Sequence, residues 1–341
     1  MMNFKKVIPN MVEGFDFTKG DIVLLQFWGE NADLDILDRF AIEIAKKGAF
    51  PIKWQHSREF MKDYYTETPD EFLAFPDKFF EIFKLANAVV DICMFTPPAP
   101  HKDFPREKIE FYRENIMKLF RSVTEDKKYF IQVKVPTVGN AAVAGIDHEL
   151  FEKSMIDAVC IDYKELKETC EKVVTQLKDK KTVEIYTGDD NKLTFSIENR
   201  PWHKDDGNGD VPPGEVYIAP IEESGEGSIL VPQLFLDGVC HKNVTLTFKE
   251  GTLVESTLPE LMEQVKSCPG DSDKLAEFGI GLNKNVKELI GYAAYDEKVL
   301  GTVHIAIGMN VMFGGKNNTP LHMDFILQPS KVLVDGEEFN I

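Results

Sequence analysis

The sequence predicts an α/β fold in two parts, an N-terminal layered βαβ domain with a mainly parallel sheet over residues 1–180 and a β-rich domain over residues 181–341. Three observations carry that expectation. The length of 341 residues leaves room for about two domains. Strand-like and helix-like segments alternate through the first half, which is the pattern of βαβ units. After that the texture changes to short β-rich runs separated by Gly, Asp and Asn clusters.

DIVLLQFW (21–28) reads as the first strand, and ADLDILDRFAIEIAKKG (32–48) sets apolar residues at helical spacing before Gly48, which can cap. FPIKWQH is a second short strand. The apolar ANAVVDICMF (86–95), the helical REKIEFYRENIMKLFRSV (106–123) and the strand-like KYFIQVKVP (128–136) repeat the alternation. A charged helix, DYKELKETCEKVVTQLKDKK (162–181), closes this half. KTVEIYT, KLTFSIEN, GEVYIAP, NVTLTFKEG and GTVHIAIG then supply the β segments of the second half.

The composition, 43% hydrophobic, 11% aromatic and 28% charged, is that of an ordinary globular chain. With 57 acidic against 39 basic residues, the net charge of −18 repels phosphate backbones and anionic lipid heads, which argues against nucleic acid or membrane as partner. The N-terminus MMNFKKVIPN lacks the apolar core of a secretory signal, and runs such as IVLLQFW are far shorter than the roughly 20 residues of a membrane helix. A cytoplasmic protein is expected. The five cysteines, Cys93, Cys160, Cys170, Cys240 and Cys268, form no CxxC pair and read as reduced thiols, mostly core fillers. DGNGD (206–210) opens like a calcium loop but has Val211 and Tyr217 where Gly and Glu are required. GIGLNK (279–284) lacks the third Gly of a dinucleotide fingerprint and reads as a turn.

The chemistry concentrates in the second half. In LHMDFIL (321–327), Leu321, Met323, Phe325 and Leu327 make one apolar face of a strand while His322 and Asp324 share the other. GTVHIAIG repeats the design, with His304 between the small Thr302 and Ala306. Glu215 shares a strand face with Tyr217 and Ala219 in GEVYIAP, and Glu277 sits among apolar neighbours in KLAEFGIGLN. Ionised carboxylates in such settings need a positive partner. No Arg follows Arg200, although lysines remain available. Three carboxylates and two imidazoles are a typical ligand count for one or two divalent cations. The candidate metal ligands are therefore Glu215, Glu277, His304, His322 and Asp324, against the alternative of scattered structural polar pairs.

These residues resemble the aminopeptidase T or leucyl aminopeptidase family of thermophilic metallo-aminopeptidases. The resemblance runs from about residue 195 to 328 in the order RPW, PPGEVYIAP, LAEFGIGLN, GTVHIAIG and LHMDF. It implies that Glu215, Glu277, His304, His322 and Asp324 ligate two divalent metal ions (zinc, cobalt or manganese) in a β-rich catalytic metal-binding domain. It further implies removal of N-terminal residues from a peptide or small amino-acid-derived substrate by a metal-activated water, in a homodimer. The family also uses a Tyr seven residues after the His of HxAxG, where this chain has Val311. The resemblance extends to 2,5-dihydroxypyridine dioxygenases, which hold one ferrous ion through two His and an Asp, a set that His304, His322 and Asp324 would supply. A His stands in those enzymes where Glu277 stands here, so Glu277 favours the two-metal site. A non-catalytic homologue is the remaining alternative, with Val311 as its motive.

Overall fold

The computed structural model describes residues 2–236 and 238–340. The strands in chain order begin with β1 (Ile22–Trp28), β2 (Phe50–Gln55), β3 (Ala88–Cys93) and β4 (Tyr129–Lys134). They continue through β5 (Thr182–Thr187), β6 (Asn191–Ser196), β7 (Trp202–Asp205), β8 (Asp210–Val211) and β9 (Glu215–Ile218). The long hairpin β10 (Glu226–Leu236) and β11 (Val239–Lys249) follows, then β12 (Thr252–Ser256), β13 (Leu275–Gly281), β14 (Val303–Gly308), β15 (His322–Leu327), β16 (Lys331–Val334) and β17 (Glu337–Glu338).

The chain divides into two compact units. The first comprises residues 1–143, 147–160 and 207–212 and contains a parallel sheet of order β2-β1-β3-β4-β8. Its β1 and β3 are apolar almost throughout, as central strands covered on both faces must be. The helices Leu34–Lys46 and Ile109–Thr124 form where the apolar spacing predicts them. A helix at Met2–Gly14 was not legible, because Pro9 interrupts the pattern. It nevertheless buries Phe4, Ile8, Met11 and Val12 at helical spacing.

The second unit comprises residues 144–146, 161–206 and 213–341. The charged helix, here Tyr163–Leu177, belongs to this unit and not to the first half that it was expected to close. Its Leu166, Cys170, Val173 and Leu177 are buried in the second unit's core, which outweighs its position in the chain. That core lies between two antiparallel sheets, of orders β12-β11-β10-β6-β5-β16-β17 and β15-β14-β13-β9-β7. The GIG of residues 279–281 is no turn but the end of β13. Of the cysteines, Cys93 and Cys170 are buried, whereas Cys160 and Cys240 are exposed, so core filling accounts for only part of the set.

Candidate metal centre

Directly opposed residues of an antiparallel ladder point to the same side of the sheet. In the five-stranded sheet Val216, Ile218, Phe278, Ile280, Val303, Ile305, Phe325 and Leu327 fill the core. The opposite face carries the polar groups. Asp205 pairs with Glu215 and Glu215 with Gly281. His203, Tyr217, Gly279 and His304 form the adjacent row. Glu277, Ala306 and Asp324 form the next, and Gly308 opposes His322. A register shift between Leu275 and Glu277 bends β13 at this point, a common device for aiming a side chain.

All five sequence-selected residues come together on that face. His304 Nε2 lies 3.3 Å from Glu277 Oε1 and 3.3 Å from Glu215 Oε2. His322 Nε2 lies 3.4 Å from Glu277 Oε2 and 3.4 Å from Asp324 Oδ1. Glu277 thus stands between the two imidazoles, one oxygen toward each. His322 Nδ1 is 2.8 Å from the Met309 carbonyl, a contact that orients the ring and directs Nε2 at the carboxylates. Two glycines make room. A Cβ on Gly279 would lie 2.1 Å from the His304 ring, and one on Gly281 would lie 2.1 Å from the Val299 carbonyl oxygen.

Sequence reasoning missed three participants. Glu297 and Lys298 follow the short helix Ala293–Asp296, and Asp205 ends β7. Lys298 Nζ is fully buried and lies 2.8 Å from Asp205 Oδ2, 2.6 Å from Glu215 Oε1 and 2.9 Å from Glu297 Oε1. The local sequence YDEKVLG has no periodicity and looks like a charged surface turn, so its only signal was the demand for a cation near Glu215.

The charges explain each shift. Burial, and then Glu297, push Glu215 well above the ordinary carboxylate range. Burial raises Glu297 to about 7 against the pull of Lys298. Burial works in the same direction on Glu277, but hydrogen bonds from His304 and His322 bring it down to about 2. Burial opposes charge on His304, yet the Glu277 hydrogen bond and Glu215 raise it to about 9. His322, also opposed by burial, is raised to about 12, chiefly by Asp324. Protonated imidazoles here supply the positive charge that the carboxylates demand.

The donor set fits divalent cations. Glu215, Glu297 and His304 offer atoms within 4.8 Å of one another, and so do Glu277, His304 and Asp324. Glu215 Oε2 and Asp324 Oδ1 are buried with only the long imidazole contacts at 3.3 and 3.4 Å, and His304 Nδ1 is buried without a hydrogen-bond partner. Five carboxylates share this face with a single ammonium, so once the two imidazoles are deprotonated the cluster has a deficit of positive charge that borderline or hard cations would meet. Val311 is half exposed on the short turn Val311–Phe313 and offers no ligand atom. The aromatic side of the site is Tyr217, stacked on His203 at 5.3 Å and edge-on to Phe313 at 5.5 Å.

A model of the family described as thermophilic metalloprotease (M29) matches residues 7–340. No curated protein matches the chain. Among solved structures, wild-type AmpT from Thermus thermophilus superposes with a TM-score of 0.70 at 18% identity, covering 99% of this chain and 98% of that one. The structure of 2,5-dihydroxypyridine dioxygenase from Pseudomonas putida superposes with a TM-score of 0.66 at 14% identity, covering 99% and 95%. At these identities the two likenesses establish the fold that the chain shares with both.

Proposed function

The chain belongs to the thermophilic metalloprotease (M29) family, and from that premise we propose that it is a two-metal aminopeptidase whose ligands are Glu215, Glu277, His304, His322 and Asp324. Membership makes it a metal-dependent aminopeptidase, a hydrolase of peptides. The observation that carries the two-metal reading is Glu277, whose separate oxygens face separate imidazoles. A carboxylate so placed would serve both ions of a pair, with Glu215, His304, His322 and Asp324 supplying the remaining ligands.

When bound, such a pair supplies an acidified water and a Lewis acid for the scissile carbonyl. The chain's own groups do the rest. Lys298 holds Glu215 through Oε1 and leaves Oε2 for the centre. The Met309 carbonyl holds the His322 ring. Glu297, within reach of Glu215 and His304, would act either as a further ligand of the centre or as the carboxylate that accepts a proton and returns it to the leaving amine. The acidic cluster favours a substrate with a free α-amine. The enzyme is further proposed to work as a homodimer in the cytoplasm. Among the described residues no helix is long and apolar enough to cross a membrane.

Metal analysis of the purified protein supplied with zinc, cobalt or manganese is expected to find two ions per chain, with release of arylamine from amino-acid arylamides. Binding of at most one ion with no release from arylamides or dipeptides overturns the proposal. Oxygen uptake with a single ferrous ion would place the chain with the dioxygenase that shares its fold.

A further inference from the structure

The N-terminal unit holds a cavity of about 230 Å³ that the peptidase reading does not use. Trp54, Gln55 and His56 reach it from the carboxyl end of β2, and open parallel sheets bind ligands outside the carboxyl ends of their strands. Its walls are aromatic. Trp54 meets Phe79 edge-on with ring centres 5.8 Å apart, and Phe75 meets Phe79 at 4.9 Å. None of the described residues that line it is charged.

One ring nitrogen in this wall lacks a hydrogen-bond partner. His56 is only 7% exposed, and its Nε2 is buried without a hydrogen bond. Trp28 stacks on the ring at 4.1 Å and is itself fixed by donating from Nε1 to the buried Asp91 Oδ1 at 2.7 Å. Burial pushes the imidazole down to about 3, so the ring is neutral near pH 7. An orphaned buried polar atom in a native fold calls for a physical reason, and a missing partner is one.

We propose that this cavity binds a small uncharged aromatic molecule of one or two rings whose single hydrogen-bonding group pairs with His56 Nε2. The volume admits rings of that size, the edge-to-face walls favour an aromatic body, and the charge-free lining leaves an ionic ligand without a counter-charge.

The test titrates 2-naphthol, whose hydroxyl can donate or accept, and naphthalene into the full-length protein. Saturable one-to-one binding of 2-naphthol is expected. Met61→Trp, which fills the cavity from the helix Arg58–Glu67, should abolish it without changing the circular dichroism. His56→Phe should weaken 2-naphthol about fivefold, the worth of one neutral hydrogen bond, and leave naphthalene unchanged. No saturable binding up to the solubility limit, or equal binding by Met61→Trp, overturns the site. Equal weakening of both probes overturns the role of His56. If a variant fails to fold, a crystal of the unaltered protein soaked in 2-naphthol decides: oxygen within hydrogen-bond distance of His56 Nε2 supports the proposal, and an empty cavity ends it.

Discussion

Lys298 Nζ lies 2.6 Å from Glu215 Oε1 with its side chain wholly out of solvent. A buried ammonium survives only among carboxylates, and a buried carboxylate only beside a cation, so each residue accounts for the other. Lys298→Met should therefore destabilise the metal-free protein by about 3–5 kcal/mol, the usual cost of leaving one partner of a buried pair uncompensated. Zinc or manganese should recover more stability in the variant than in the wild type, because added cations meet the same deficit. Urea unfolding with and without metal measures both. A metal-free loss under about 1 kcal/mol would show the ion pair to be dispensable.

Much of this was legible in residues and little of it in loops. His322 and Asp324 could be placed on one face because side chains alternate along a strand and the opposite face was uninterruptedly apolar. His304 followed from the same argument. Glu277 was harder, since apolar residues flank it on both sides and a register shift aims it. Glu297 and Lys298 were not visible, because burial of a turn depends on which strands surround it, and alternation says nothing about that. The helix Tyr163–Leu177 was recognised as a helix but assigned to the wrong half, since its amphipathic face does not name its partner.

Glu277 is the one carboxylate that both imidazoles share, so it should be the least replaceable ligand. Glu277→Gln keeps the shape but removes one charge and one anionic oxygen. The expected result is loss of at least one bound ion per chain and a fall in arylamidase activity of at least about 100-fold. His322→Ala should remove one ion and spare the fold, because this side chain is 29% exposed and lies at the edge of the cluster. Plasma mass spectrometry of dialysed protein reads the stoichiometry. Two ions retained in either variant would remove that residue from the ligand set.

The metal-free protein should lose stability as pH rises. His304 has a folded value of about 9 against 6.5 for the free side chain, and His322 about 12 against 6.5. Glu297 stands at about 7 against 4.5. In each case the folded state binds protons that the unfolded state has released, so stability falls with pH between the two values. The contribution of His304 is complete below 6.5 and gone above about 9. Glu277, lowered to about 2 from 4.5, acts only at acid pH, outside this window. The melting temperature of dialysed protein should therefore drop from pH 6.5 to 9. Saturating metal should cancel or reverse the drop, because cations bind the deprotonated ligands. A melting temperature of the metal-free protein that is flat or rising over this range contradicts the proposed origin of the imidazole charge.

Gly279 tests whether the centre depends on shape as well as charge. Its position in the middle of β13 disfavours glycine on entropic grounds, and alanine would ordinarily strengthen a strand there. The obstacle is the imidazole, since an added Cβ would stand 2.1 Å from His304 Cε1 and Nε2. The ring cannot yield toward Glu277 or Glu215, which it already approaches to 3.3 Å, so it must tilt away from both. Gly279→Ala should thus cost about 1–3 kcal/mol by overpacking and weaken metal binding by at least tenfold. Gly139→Ala is the matched control, because its added Cβ would meet nothing nearer than 3.8 Å and lies on the helix Val138–Ala144. It should be neutral or stabilising by up to about 1 kcal/mol and leave metal binding untouched. Thermal melts with metal titrations distinguish the two. If Gly279→Ala binds both ions as tightly as the wild type, His304 does not sit against the β13 backbone as described.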